Sequence, residues 1–161
     1  MDYQTYLSRL KEERVIASLK EFLKAETESQ RLSEEYLQAV RLPRIYAFIS
    51  SELGYRMWRA EQRGTLRREQ PFVLSIPARR LKAEFPEEER VLIQGIIDAY
   101  FEEDGEIVLL DYKTDSVGSS DQLWKRYRTQ MDYYQEALER LTGLPVKKRY
   151  LYSFHLGEAT C

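Results

Sequence analysis

The sequence predicts an α/β fold, a mixed β-sheet flanked by helices with a helical portion at its N-terminus. Three observations predict it. Residues 1–64 carry apolar positions at helical spacing, whereas residues 65–161 show alternating, strand-like runs. Within the second portion an Asp104-Gly105 pair separates two β-rich runs, 91–101 and 106–111, a strong short-range hairpin signal. A long amphipathic helix, 122–142, then precedes a last strand, and a helix between two strands permits a parallel crossover. With 161 residues the chain is long enough for one real core, so 1–64 and 65–161 are expected to form a single domain.

Composition excludes several classes of function. The formal net charge is -2 with 32% charged residues, so local sign matters more than the total. One cysteine, Cys161, leaves no internal disulfide, no cysteine zinc cluster and no iron–sulfur cluster in this chain. No apolar run approaches about 18–20 residues, which argues against a membrane span. The start is polar and charged rather than a secretory leader, so a cytoplasmic location is expected. No Gly-X-X-X-X-Gly-Lys-Ser/Thr phosphate loop occurs, so any ATP-driven activity belongs to a segment absent from this chain.

The elements follow in order. Tyr6, Leu10, Val15, Leu19, Phe22 and Leu23 mark one face of a helix over residues 2–30, broken by the polar stretch 26–31. Ser33 followed by Glu34 and Glu35 reads as a cap and acidic first turn of a short helix running to about Val40. Pro43 suits the first turn of a third helix, with Ile45, Phe48, Ile49 and Leu53 on its face, continuing through Tyr55, Met57 and Trp58 to a stop near Gly64. Phe72, Leu74 and Ile76 alternate in a strand that ends at Pro77. A basic loop (Arg79, Arg80, Lys82) and an acidic turn at 86–89 lead to the hairpin. After it, 114–120 is a Gly/Ser/Asp loop, and Ser120 or Asp121 caps the long helix. That helix carries Trp124, Tyr127, Met131, Tyr134, Leu138 and Leu141 on its seam, and Gly143 stops it. A strand over 146–156 closes the sequence, with Tyr150, Tyr152 and Phe154 in alternation.

The hairpin holds the chemistry. Counting outward from Asp104-Gly105 puts Asp98 opposite Asp111 and Ile96 opposite Lys113. Directly opposed side chains stand about 4.5–5.5 Å apart, and like charges there are destabilising. Either one carboxyl is protonated or the two share a cation. Hard cations such as Mg²⁺ take oxygen ligands, commonly one or two carboxylates plus substrate phosphates. Lys113, two residues after Asp111, projects from the same face. On the residues alone, duller roles stay open. Asp98 also fits an edge carboxylate, Lys113 a counter-charge to Asp111, and Tyr134 a core position. Lys125, Arg126 and Arg128 fit a solvated helix face, and His155 a strand residue without metal.

The run Gly95-Ile96-Ile97-Asp98, then Asp111-Tyr112-Lys113-Thr114, then Gln130 with Tyr134 four residues on, resembles the nuclease domain of RecB-type PD-(D/E)XK enzymes. With Arg68-Glu69-Gln70-Pro71-Phe72 upstream and 147–154 downstream, it is similar to the C-terminal end of AddA, or RexA, the helicase–nuclease component of bacterial AddAB. The likeness covers about residues 40–156. It implies a restriction-endonuclease-like mixed sheet and a metal-dependent DNA exonuclease acting in double-strand break repair and recombination. It also implies Mg²⁺ (or Mn²⁺) as cofactor, DNA and an AddB/RexB-type chain as partners, and ATP use only in an absent helicase segment.

Residue by residue, the resemblance makes Asp98 and Asp111 metal ligands, completed by the Tyr112 carbonyl. It makes Lys113 the catalytic lysine, and Gln130 and Tyr134 DNA contacts. Glu69 takes a supporting role, and Lys125, Arg126 and Arg128 on the long helix are candidate phosphate contacts beside Arg79 and Arg80. The family has a further ligand, usually a His, on a helix upstream of the region that begins at residue 1. His155, the one histidine, lies outside any matching motif, so the chain is expected to be a fragment. The alternative is a non-catalytic DNA-binding or subunit-docking module that retains the fold.

Overall fold

The computed structural model describes residues 1–33, 35 and 40–161. They divide into two compact units, Met1–Arg59 and Ala60–Cys161. The first is helical: α1 (Tyr3–Arg9), α2 (Glu12–Glu28), α3 (Leu42–Ile49) and α4 (Glu52–Arg63), whose last turn runs past Arg59. The expected helix over 2–30 is in fact two, because the backbone leaves helical geometry at Leu10 (ψ 81°) and restarts at Glu12-Glu13, acids that suit a helix N-terminus. The helix expected from Pro43 to Gly64 is likewise broken. Ser50 Oγ donates back to the Tyr46 carbonyl (2.8 Å), while Ser51 Oγ accepts the Gly54 N–H (3.0 Å) and so caps α4. The short helix expected between Ser33 and Val40 rests on 34 and 36–39, which lie outside the described residues.

Tyrosine hydroxyls tie this unit together. Tyr3 donates to the Ser50 carbonyl (2.7 Å), Tyr6 to Ile49 (2.9 Å) and Tyr46 to Leu10 (3.2 Å). These acceptors sit at helix C-termini, where carbonyls have no partner within the helix. Tyr55 reaches the Met1 carbonyl at 2.6 Å, and its ring lies 5.2 Å from that of Tyr6.

The second unit holds a five-stranded sheet in the order β1-β2-β3-β4-β5. The strands are β1 (Leu66–Pro77), β2 (Arg90–Glu103), β3 (Glu106–Lys113), β4 (Val146–Ser153) and β5 (Glu158–Thr160). β3 and β4 run parallel and the other neighbours antiparallel, so the mixed-sheet α/β class read from the sequence holds. Asp104 and Gly105 both adopt positive φ (56° and 78°), the conformation a two-residue hairpin turn requires. Pro71 is tolerated inside β1 because that strand is a sheet edge. The last strand is shorter than expected. It stops at Ser153, turns through Gly157 (φ 75°) and returns as β5.

α5 (Ser120–Thr142) makes the crossover from β3 to β4. Ser119, one residue earlier than expected, caps it by accepting the Gln122 N–H, and Gly143 ends it at φ 71°. Leu123, Met131 and Leu138 of α5 pack on Ile97, Leu109 and Leu151, all fully buried. This packing seats α5 on the sheet over β2, β3 and β4.

Loss of the Ser51 cap should lower the stability of the helical unit by about 1 kcal/mol. Chemical denaturation of Ser51→Ala beside Ser50→Ala checks this; Ser50 only bonds back within its own helix and should cost less.

Candidate active site

The hairpin ladder stops one step short of the two acids. β2 and β3 pair from Glu103–Glu106 to Ala99–Leu110, in the register counted from the turn, and the ladder ends there. The direct Asp98–Asp111 pairing expected from the sequence is replaced by another bond. The Asp98 carboxylate accepts the Tyr112 N–H at 2.8 Å, so a side chain stands in for the backbone acceptor. Past this point β2 stays on β1 (Gln70–Ile97, Pro71–Ile96), and β3 stays on β4 (Asp111–Leu151 to Lys113–Ser153). The sheet forks, and the acids stand at the fork. Like-charge repulsion between opposed carboxylates gives the fork a physical cause.

Asp111 is only 2% exposed. Lys113 Nζ lies 2.5 Å from its Oδ2, yet that oxygen receives no hydrogen bond of acceptable geometry. Burial pushes the Asp111 carboxyl above the usual range; Lys113 opposes this, and the charge of Asp98 adds to it. Burial also pushes the Tyr112 phenol up to about 12, against Arg68 and with Asp98.

α5 completes the site. Gln130 Oε1 accepts from Lys113 Nζ at 2.9 Å, and Gln130 Nε2 donates to the Tyr134 hydroxyl at 2.8 Å. Tyr134 in turn donates to the Ile96 carbonyl (3.1 Å), on the arm of the fork that has left the ladder. Burial and the charges of Asp111 and Asp98 raise the Tyr134 pKa, so it remains a donor. Phe72 meets the Tyr134 ring edge-on at 5.4 Å. Gly95 makes room for Phe72, since a Cβ there would lie 3.0 Å from that ring. That close approach explains a glycine at the head of Gly95-Ile96-Ile97-Asp98.

Asp98, Asp111, Tyr112, Lys113, Gln130 and Tyr134 are thus brought together. Glu69 falls in register across from Asp98, but the ladder skips the pair and Glu69 sits exposed at φ 51°. A left-handed conformation in a non-glycine residue costs about 1–2 kcal/mol. Lys125 and Arg128 lie elsewhere, lining a groove of about 950 Å³ with Asp121, Trp124, Asp132 and Arg149 on the other flank of α5. Of the remaining candidate cations, Arg126 pairs with Asp115 (2.8 Å), Arg79 with Glu87 (3.4 Å) and Arg80 with Glu136 (2.6 Å). His155 is exposed. Two further residues, Tyr127 and Asp115, join the site without having been expected there. The Tyr127 ring lies 3.9 Å from Lys113 Nζ, and its hydroxyl donates to the Asp115 carboxylate at 2.8 Å. A signal for Tyr127 exists in the sequence, since it precedes Gln130 by three residues and Tyr134 by seven, on one helix face.

The donor set suits a hard divalent cation. The two carboxylates are oxygen donors, and Asp111 Oδ2 is buried with the Lys113 ammonium beside it at 2.5 Å. Among the described residues no group of three or more His, Cys, Asp and Glu could hold a metal, so the two carboxylates do not complete a site by themselves.

The PD-(D/E)XK nuclease superfamily profile matches residues 3–159. The chain belongs to this superfamily. Its relatives include proteins whose names make them one subunit of an ATP-dependent helicase/nuclease. That of Clostridium kluyveri (strain NBRC 12016) is 43% identical over 127 residues, covering 76% of this chain and 10% of that protein. That of Clostridium novyi (strain NT) is 38% identical over 150 residues, covering 89% and 12%. That of Thermoanaerobacter sp. (strain X514) is 37% identical over 147 residues, covering 88% and 12%. The chain spans about a tenth of the length of these relatives. In this member of the PD-(D/E)XK nuclease superfamily, no helix among the described residues is long and apolar enough to cross a membrane.

The raised Asp111 pKa fixes the sign of a pH dependence. A carboxyl whose folded pKa lies above its unfolded value stabilises the fold fully below about pH 4, and that contribution is lost as pH rises through the folded pKa. Asp111→Asn removes the loss. Urea unfolding of the metal-free chain from pH 4 to 8 should show the variant gaining stability relative to wild type as pH rises; parallel profiles would contradict the assignment.

Proposed function

We propose that the chain is the nuclease domain of an ATP-dependent helicase–nuclease. It hydrolyses DNA phosphodiesters as a metal-dependent exonuclease in double-strand break repair and recombination. The observation that carries the reading is the convergence of Asp98, Asp111 and Lys113 at the sheet fork, with Gln130 holding the lysine from α5. Superfamily membership and relatives named for a helicase/nuclease support it. Those names describe one component of a complex, which supports a partner; an AddB/RexB-type chain is our assignment for it. A cytoplasmic location follows from that role.

Asp98, Asp111 and the Tyr112 carbonyl would hold Mg²⁺ (or Mn²⁺). Such an ion supplies Lewis acidity toward a phosphoryl oxygen and lowers the pKa of bound water. The chain's own groups do the rest. Lys113 places an ammonium where negative charge develops on the phosphoryl oxygens, and its fixed position avoids reorganisation during reaction. Gln130 and the protonated Tyr134 present an amide and a phenol beside it, suited to a strand's phosphate or base. Glu69, exposed on β1 in register with Asp98, takes a supporting place beside the acids. Lys125 and Arg128, with no ion pair among the described residues, add salt-dependent backbone contacts away from the acids.

A nuclease assay on single- and double-stranded DNA with Mg²⁺ or Mn²⁺ tests the reading. Asp111→Ala should fall to background and Lys113→Ala by roughly 100-fold or more, the scale for removing a charge-stabilising donor. Equal rates in wild type and both variants would defeat it.

A further inference from the structure

Lys113 carries three ammonium donors on a flexible stem, and a catalytic amine must be held still. Two of its sides are met by Asp111 Oδ2 (2.5 Å) and Gln130 Oε1 (2.9 Å). The third contact is the Tyr127 ring, 3.9 Å from Nζ to the ring centre. A ring face attracts a cation without bringing a full negative charge, so it orients the ammonium and leaves its charge for a substrate. The tyrosine is itself held. Its hydroxyl donates to both oxygens of Asp115 (2.9 and 2.8 Å), and Asp115 also takes Arg126 at 2.8 Å. Lys113 and Asp115 are two residues apart at the end of β3, and both grip the same side chain of α5. The tyrosine is clasped at its face by the amine and at its hydroxyl by the carboxylate. Core packing alone would not call for the second contact.

We infer that Tyr127, clasped by Asp115, is a positioning residue for the Lys113 amine. Its effect on rate rests on the nuclease reading above, whereas its effect on where the amine sits does not.

Two measurements on the same labelled chain test this. In NMR spectra of the metal-free protein, the Lys113 ε-methylene and ammonium resonances should be shifted upfield by the Tyr127 ring. Tyr127→Leu should abolish the shift, and Tyr127→Phe, which keeps the ring but loses the Asp115 clasp, should reduce it without abolishing it. In DNA cleavage with Mn²⁺, Tyr127→Leu should lower kcat roughly thirtyfold, the rate equivalent of a desolvated cation–π contact, with KM for DNA unchanged. Tyr127→Phe should recover part of that loss, which separates the ring's role from a folding defect and leaves the remainder to the Asp115 clasp. Unshifted Lys113 resonances in wild type, or wild-type kcat in Tyr127→Leu, would overturn the inference. A wild-type chain without cleavage counts against the nuclease reading, and the resonances still decide whether the ring holds the amine.

Discussion

The interaction on which the second unit depends is the meeting of two carboxylates on adjoining strands, one of them buried. Asp111 is 2% exposed, faces the charge of Asp98, and has its pKa raised by burial with that charge adding. A sheet built for stability alone would put an apolar pair there. The surrounding structure answers this cost. The ladder ends at Ala99–Leu110, Asp98 takes the Tyr112 N–H, and Lys113 supplies a cation at 2.5 Å. Leu109 and Leu151, fully buried, hold β3 in the core despite the charges at its end. Two acids are kept together here against local stability, the local conflict expected where a chain answers to function as well as folding.

The helix α5 turns this arrangement into a site. Its register puts Tyr127, Gln130 and Tyr134 over the fork while Leu123, Met131 and Leu138 anchor it to the sheet. Polar contacts run in series from Asp111 through Lys113, Gln130 and Tyr134 to the Ile96 carbonyl. That route joins the two arms of the fork across the helix, and so fixes the spacing of the acids from both sides. Gly95 belongs to the same device, because it admits the Phe72 ring against Tyr134.

Much of this is legible in the sequence because two local rules are strong. A two-residue Asp-Gly turn sets hairpin register, and that register puts Asp98 level with Asp111 and Lys113 on the same face. The helical period puts Gln130 and Tyr134 one turn apart, with Gly143 as the stop. What is not legible depends on competition between backbone partners. Ser50 and Ser51 break a continuous apolar pattern by taking backbone groups with their hydroxyls. β5 is three residues long and carries no alternation of its own. The ladder's end at the acids, and the left-handed backbone of Glu69 beside it, follow from charge repulsion and strand geometry that pairing rules do not contain. Lys125 and Arg128 are close to Gln130 in sequence, yet the helix carries them to the opposite flank.

The central claim is that Asp98 and Asp111 form one oxygen site for a hard divalent cation. Calorimetric titration of Mn²⁺ into the metal-free chain tests it without any need for turnover. The account predicts saturable binding to wild type that is lost in both Asp98→Ala and Asp111→Ala. Binding that persists unchanged in both variants would contradict it.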